Sequence, residues 1–277
     1  HIDSTGVRET ELFEIKASEE LLDFAKANAA NVLPQMELRA MSLKKIGDQS
    51  FMGIGVPSIT QRISFTQAYM EHAHGATLGW WNHTKEDGLD KCDPDVLVED
   101  TKASLQVIYD LATVELLPYD FTEKLAQFRT KAEKLAGEDG SHMDFSDLLE
   151  NLKQAETLVG QVQQCRESCH GKKAQLYNDF VKAVSRQITN VTMTYADKYS
   201  QDSYGFSKLS APIPLFADLP RLKVLAPDSL EYGMVQTQTV KNKNRINDGL
   251  FTIIRLAQLY SMLLETKGGC EDEADQN

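Results

Sequence analysis

The chain has 277 residues, of which 42% are hydrophobic and 25% are charged. This globular composition excludes collagen-like, low-complexity and wholly disordered proteins. The 41 acidic and 29 basic residues give a formal net charge of -12, so the chain repels phosphate backbones on average, and neither nucleic acid nor an anionic membrane is expected as a partner.

The sequence carries no signal for crossing a membrane. No apolar run approaches the roughly 20 residues that span a bilayer, and the start lacks the basic-then-apolar pattern of a secretory signal. Four cysteines are too few for a disulfide scaffold of this length. We therefore expect a soluble protein, with the cytoplasm slightly favoured. Because the first residue is His1, we also expect a processed segment or one whose beginning is absent.

Strands alternate with helices up to about Pro118. Residues 21–32 show helical apolar spacing, and Ser18 stands where it would cap that helix. Residues 36–41 alternate like a half-buried strand, and residues 53–59 read as a turn feeding a short buried strand. This alternation predicts an α/β layer.

Asp93-Pro94 predicts the start of a further helix, because it combines a capping residue with a proline at the first helical position. Five residues of this helix are predicted to share one face: Leu97, Thr101, Leu105, Ile108 and Ala112.

After Pro118 the pattern is almost wholly helical. Apolar stripes predict helices over residues 121–135, 145–162, 176–191 and about 240–266, the first opened by a capping-box-like pair, Asp120 and Glu123. Four prolines within residues 200–233 predict an ordered loop or short turns there. Gly268-Gly269 would end the last helix, and a solvated acidic tail follows.

Reactive residue types concentrate in three places: residues 1–4, the turn at residues 47–51, and residues 71–90. Half of the six histidines lie in the last of these. Imidazole beside carboxylate suits a zinc site, although a His-x-His pair is more often a surface-loop feature. Cys165, Cys169 and His170 also suggest a metal, but plain thiols are favoured because no second cysteine pair accompanies them.

Trp80 and Trp81 adjoin His83 on a glycine-flanked loop. Two neighbouring indoles are unusual on a surface. They would line a pocket, anchor a partner, or serve as core wedges beneath the loop, and the sequence leaves these alternatives open.

Three strings resemble one protein family. HIDSTG (residues 1–6), GDQSFMGIGVPS (47–58) and GWWNHTKEDGLDKCDPDVLVEDT (79–101) resemble the C-terminal half of the catalytic domain in zinc-dependent aminopeptidases. That superfamily includes glutamate carboxypeptidase and the transferrin receptor. The proline-rich stretch and the helix KNKNRINDGLFTIIRLAQL (241–259) are similar to the end of its receptor-like branch, so the resemblance covers nearly the whole chain.

The resemblance implies a fold and a domain order. Residues 1–118 would be the C-terminal part of a three-layer α/β zinc-exopeptidase domain. Residues 119–268 would be an all-α helical bundle that makes a homodimer, and residues 269–277 an acidic tail.

The resemblance also implies a two-zinc site. Asp3 would bind one zinc and His83 the other, and residues 47–51 would line the substrate side. Two zincs would activate a shared water and clamp the peptide carbonyl. The implied substrate-lining residues are Asp48, Gln49, Ser50, Trp80, Trp81 and Asn82.

Three departures limit what this segment would do alone. The family's H-x-D motif and its paired glutamates, one of which is the general base, lie upstream of the HIDS match. Each zinc would thus keep one ligand here, where a catalytic zinc typically has three protein ligands, so we expect no catalytic residue and no complete metal pair in this segment. Asn82 also stands where several relatives carry a tyrosine that helps to hold the tetrahedral intermediate.

Two hypotheses follow. One is the C-terminal portion of a zinc aminopeptidase that hydrolyses N-terminal residues of peptides and is inactive without its upstream ligands. The other is a non-catalytic, transferrin receptor-like module for interaction and dimerisation. An incomplete sheet would expose an edge and an apolar face, so we expect the missing half, or a second copy, to cover them.

Overall fold

The computed structural model of the protein describes residues 1–43, 47–140, 142–200, 202 and 211–265, and of residues 47–49 it describes the backbone alone. The chain divides into two compact units. The first is His1–Lys44 with Pro57–Val114, and the second is Lys45–Val56 with Glu115–Asn277. The sequence pattern places the boundary near Pro118 and keeps the segment before Pro57 with the first part. In the structure Lys45–Val56 belongs to the second unit.

The first unit is built on a mixed three-stranded sheet. The central strand β1 (Leu12–Ala17) pairs in parallel with β2 (Glu37–Ser42) and antiparallel with β3 (Ile59–Ser64). The strand β2 confirms the strand predicted at residues 36–41. The strand β3 begins only at Ile59, where the predicted segment 53–59 ends, because the chain before it forms a 3-10 helix up to Ile54. The strand β1 was not among the predictions, although Phe13, Glu14, Ile15 and Lys16 alternate between apolar and charged residues.

Apolar residues cover one face of the sheet. Phe13 and Ile15 of β1 form a cluster with Ala25 of helix α1 (Leu22–Val32). The short helix α2 (Gln67–His72) and the long helix α3 (Pro94–Thr113) complete the unit, and α3 adds Ala103 to the same cluster. The unit therefore has a small hydrophobic core of its own.

The opposite face of the sheet carries a buried carboxylate among cations. Glu14 lies opposite Arg39 of β2 and Arg62 of β3, and Lys16 follows on the same side of β1. Arg39 Nη2 lies 2.6 Å and Lys16 Nζ 2.8 Å from the Glu14 carboxylate. Burial alone would raise the pKa of Glu14, but Lys16 and Arg39 together hold it below its ordinary value. The cluster is thus an ionised cross-strand pairing that spans all three strands.

The two helix caps expected in this unit differ in outcome. Asp93 caps α3 as predicted, because its Oδ1 accepts from the N–H groups of Asp95 and Val96. The prediction for Ser18 is wrong. The Ser18 hydroxyl makes no cap hydrogen bond and instead accepts from the N–H of Ser58 at 3.0 Å, tying the end of β1 to the start of β3.

Helix α3 presents its most apolar face to solvent. Leu97, Leu105 and Ile108, part of the predicted stripe, have exposed fractions of 45%, 62% and 54%. The buried face of α3 consists of small or polar residues: Asp100, Ala103, Ser104 and Val107. Exposed apolar patches are often sites where a protein, a membrane or a ligand binds.

Asp100 is the polar anchor of α3. Its two carboxylate oxygens accept from the backbone N–H of Gly6 at 2.8 Å and of Ile63 at 2.6 Å, and all three residues are buried. Burial raises the pKa of the Asp100 carboxyl, while these two N–H groups act in the opposite direction. One side chain therefore satisfies the edge of β3 and the opening segment together.

We expect Asp100→Ala to destabilise the first unit by about 3 kcal/mol, because two buried N–H groups would lose their acceptor. Both tryptophans of the chain, Trp80 and Trp81, lie in this unit, so tryptophan fluorescence during urea unfolding reports on it selectively. Asp95→Ala, at an exposed position of the same helix, is the control and should shift the midpoint little. Equal midpoints for the two variants would show that Asp100 does not anchor α3.

The second unit is a helical bundle. Its helices are α4 (Thr122–Asp139), α5 (Ser146–Gln164), α6 (Lys172–Thr192) and α7 (Leu230–Glu265). All four were predicted, and the stripes of the first three face one large hydrophobic core. The prediction for α7 was too short, because the helix begins ten residues before Val240. The predicted end of α7 and the acidic tail lie outside the described residues.

Polar contacts set the register of the bundle. Asn151 of α5 donates to Asn247 of α7 at 3.1 Å, and Asn247 donates to Asp147 at 2.9 Å. The prediction of a capping box for α4 is wrong, because the N-cap is Phe121, whose side chain makes no cap hydrogen bond. Asp120 accepts from the N–H of Thr122, whereas Glu123 bonds to the side chain of Gln127.

The described part of the proline-rich stretch is a series of short turns, as expected. Two 3-10 helices, Pro214–Phe216 and Leu219–Lys223, bury Leu215, Phe216, Leu219 and Leu222 against the bundle.

Candidate functional site

The opening segment lies along two neighbours of the first unit. The amino group of His1 donates to the carbonyl of Ile59 at 2.9 Å, next to the edge of β3. Further along, Val7 forms an antiparallel bridge with Cys92, and the N–H of Asp93 donates to the carbonyl of Gly6 at 2.9 Å. The bridge brings the HIDSTG motif beside the end of the motif that contains His83.

Asp3 lies on the exposed side of this segment. Its side chain is 57% exposed, and Oδ2 is 4.0 Å from Nε2 of His1. The next residue, Ser4, has a positive φ of 52°. An exposed carboxylate with a single long contact has oxygens that remain accessible to a cation.

The loop that carries His83 is fixed by Trp81. The Trp81 indole is buried at 5% exposure and meets Phe65 edge to face, with ring centroids 6.1 Å apart. A Cβ on Gly79 would lie 2.5 Å from this indole, so only glycine lets the ring fold back over its own turn. Trp81 therefore serves as a core wedge, one of the alternatives that the sequence left open.

His83 and Trp80 extend from this wedge into solvent. His83 is exposed and has a left-handed backbone with φ of 61°. Trp80 is 60% exposed, and Asn82 between them is half-buried. The carbonyl of Trp81 accepts from both the N–H and the hydroxyl of Thr84, which closes the turn directly after His83. The imidazole of His83 and the indole of Trp80 are thus both exposed on a hydrogen-bonded turn.

Asp90 and Lys91 end the motif. The Lys91 ammonium, hydrogen-bonded to Asp90, lowers the pKa of that exposed carboxyl. Arg8 Nη1 donates to the carbonyl of Asp90 at 2.6 Å, which ties this end of the loop to the opening segment a second time.

The segment expected to line the substrate side is a 3-10 helix, Gly47–Ile54, and it packs on α6. The Ser185 hydroxyl donates to the carbonyl of Gly55 at 3.1 Å, and the Asn190 amide donates to the carbonyl of Gly53. Gly55 has a φ of 85°, and a Cβ there would lie 2.2 Å from Cα of Arg186. The backbone of this turn therefore rests directly on the backbone of α6.

The individual residues of the turn differ in what is described. Ser50 and Phe51 are exposed, Phe51 at 70%, whereas Met52 is fully buried. The side chains of Asp48 and Gln49, both expected to contact substrate, lie outside the described residues. The turn thus presents Ser50 and Phe51 to solvent and buries the residue that follows them.

The candidate ligands fit zinc in kind, because zinc takes carboxylate oxygen and imidazole nitrogen. Asp3 and His83 are two donors, however, and no hydrogen bond or ion pair joins them in the part of the chain that the structure describes. Among the described residues, no group of three or more His, Cys, Asp and Glu side chains is placed to hold a metal ion. Their convergence on a metal pair stays a prediction.

The cysteine and histidine cluster of the second unit consists of plain contacts. Cys169 Sγ donates to the carbonyl of Cys165 at 3.2 Å, and His170 Nδ1 lies 3.4 Å from Glu115 Oε2. Burial raises the pKa of the Cys169 thiol. The thiols of Cys92, Cys165 and Cys169 are free, and Cys270 lies outside the described residues.

Sequence reasoning missed the residues of α6 and α7 that hold the turn. Ser185, Asn190 and Arg245 are polar residues within helices whose apolar stripes dominate the pattern. Gly55 was the one local signal, since a glycine two residues before a proline is typical of a turn and leaves room for a close backbone neighbour.

Comparison of the sequence with protein-family models and with curated proteins gives no match in either case. In the described part of the chain, no helix combines the length and the apolar character needed to cross a membrane.

We expect Gly55→Ala to lift the turn from α6, because the new methyl group would overlap the Arg186 backbone. The cost should exceed that of Gly75→Ala by about 2 kcal/mol. Gly75 is a matched control, since it has the same φ of 85° but a methyl group there would meet no atom within 4 Å. Thermal unfolding followed by far-ultraviolet circular dichroism measures both, and equal melting temperatures would contradict the close approach.

Proposed function

We propose that this chain is the C-terminal portion of a zinc aminopeptidase, a hydrolase that removes N-terminal residues from peptides. The observation that carries the proposal is the bridge between Val7 and Cys92, which sets the two motif-bearing segments side by side in one unit. The mixed sheet followed by a helical bundle is compatible with the C-terminal part of a three-layer zinc-exopeptidase domain and its helical dimerisation domain.

In this proposal the chain contributes one ligand to each of two zinc ions. The Asp3 carboxylate would hold one ion and the His83 imidazole the other, and the remaining ligands and the general base would come from the rest of the complete protein. When bound, a zinc pair supplies an activated water near neutral pH and neutralises the developing oxyanion. This chain alone would not turn over peptide.

The proposed substrate contacts come from two segments. Trp80 and Asn82 flank His83 on its turn, and an exposed indole offers an apolar surface to a substrate side chain. Ser50, with Asp48 and Gln49 before it, would provide contacts from the Gly47–Ile54 turn. Trp81 would support Trp80 and Asn82 from beneath their loop.

We expect Asp3→Asn and His83→Ala in the complete protein to lower kcat/KM for an aminoacyl amide on the order of 100-fold to 1,000-fold, because each removes a metal ligand. Zinc content should fall in parallel. Asp23→Asn and His74→Ala are matched controls, since both residues are exposed and His74 shares the left-handed backbone of His83. Unchanged zinc content and activity in both site variants would refute the proposal.

The second candidate function is a non-catalytic, receptor-like module for interaction and dimerisation. Exposed apolar stripes favour it, since α3 carries one and α7 carries another. On α7 the residues Phe251, Leu259 and Met262 are spaced along one face and are 48%, 47% and 60% exposed. A second copy of the chain would bury such a stripe.

We expect the wild-type chain to be a homodimer, and the double variant F251E/L259E to be a monomer of 31.0 kDa. Two buried charges at the interface would cost more than the dimer gains. Light scattering after size exclusion gives the mass. Leu89→Glu, at a position 90% exposed in the first unit, is the control and should remain dimeric. A monomeric wild-type chain would contradict this use of α7.

A further inference from the structure

Asn190 of α6 makes two hydrogen bonds of opposite kind. Its side-chain Oδ1 accepts from Arg245 Nη2 at 2.7 Å, and its Nδ2 donates to the carbonyl of Gly53. A guanidinium only donates and a carbonyl only accepts, so these two partners permit one orientation of the amide. Arg245 thereby fixes which way Asn190 points.

Arg245 is itself held firmly. Its guanidinium also donates to the carbonyls of Ala196 at 2.8 Å and Tyr195 at 3.3 Å, just beyond the C-terminal end of α6. It also reaches the carbonyl of Asn190 at 3.3 Å. Arg245 therefore binds α7 to the end of α6, and a single rotamer serves all these contacts.

We propose that Asn190 is a positioning residue for the Gly47–Ile54 turn, and that Arg245 of α7 orients it through this relay. The relay ends on the carbonyl of Gly53, the residue directly after the buried Met52. It therefore holds the part of the turn that faces away from solvent. Ser185 adds a second bond to the turn at Gly55. The helical unit thus sets the conformation of the exposed residues Ser50 and Phe51.

The consequence for substrate rests on the proposed function, whereas the relay itself does not. If the turn lines the substrate side, loosening it would weaken substrate binding more than the chemical step. A positioning role therefore predicts a change in KM that exceeds the change in kcat.

Asn190→Asp tests the relay. A carboxylate still accepts from Arg245, so the contact between α6 and α7 is kept. It cannot donate to the Gly53 carbonyl, and one of its oxygens would instead face the Gly53 carbonyl oxygen. Hydrogen exchange with mass spectrometry on the chain itself is the measurement. The N–H groups of Gly55 and Val56, bonded within the turn to Met52 and Phe51, should exchange about five- to tenfold faster. The amides of α7 should be unchanged.

Asn244→Asp is the matched control, because it makes the same isosteric change at an exposed position beside Arg245. It should leave the turn unaffected. Unchanged exchange at Gly55 and Val56 in Asn190→Asp overturns the relay. Faster exchange spread equally over α7 also overturns it, since Asn190 would then merely stabilise the bundle.

Ser185→Ala covers the case in which Asn190→Asp fails to fold. It removes the bond to Gly55 without adding charge, and should raise exchange about two- to fivefold in the same peptide alone. No change there overturns the proposal. In the complete protein, faster exchange with wild-type KM and kcat would keep the relay and refute only the substrate role of the turn.

Discussion

The close approach of Gly55 to the backbone of Arg186 is the constraint on which the arrangement of this protein depends. It leaves no room for a side chain, and it draws Lys45–Val56, which lies between two strands of the first unit in the sequence, into the second unit. Because the turn sits on the helix backbone itself, its position follows from α6 and from the Arg245 contacts that hold the end of α6. The helices of the second unit therefore shape a segment to which we assign a functional role.

The first unit is organised around polar anchors as much as around apolar packing. Its hydrophobic cluster is small, while Asp100 satisfies two backbone N–H groups and Glu14 joins all three strands. The apolar residues of α3 lie on the outside instead. This arrangement, with polar residues inward and leucine and isoleucine outward, is expected where a further layer of polypeptide covers the helix. It agrees with the proposal that this chain works as part of a larger assembly.

Local signals in the sequence predicted the helices well and the packing less well. The apolar stripes of α4, α5 and α6 face the core as predicted, because an amphipathic helix in a bundle buries its apolar face. The predicted apolar stripe of α3 does lie along one face of the helix, but that face is exposed to solvent. The periodicity of a sequence shows which residues share a face and does not show whether anything covers that face. The strand β1 was not predicted, although the alternation of apolar and charged residues along it was a local signal. Ser18 failed as a cap because Ser58, distant in sequence, competes for its hydroxyl. The bonds from α6 to the turn link residues about 130 positions or more apart, and no local pattern encodes them.

Asp3 and His83, each exposed on a segment tied to the other by the Val7 bridge, are the core of the functional account. Anomalous diffraction at the zinc edge from crystals of the complete protein tests it most directly. We expect two zinc peaks about 3.5 to 4 Å apart. An oxygen of Asp3 should lie about 2.0 to 2.2 Å from one ion, and a ring nitrogen of His83 about 2.0 to 2.1 Å from the other. Zinc bound at other residues, or these two side chains too far apart to reach adjacent ions, would contradict it.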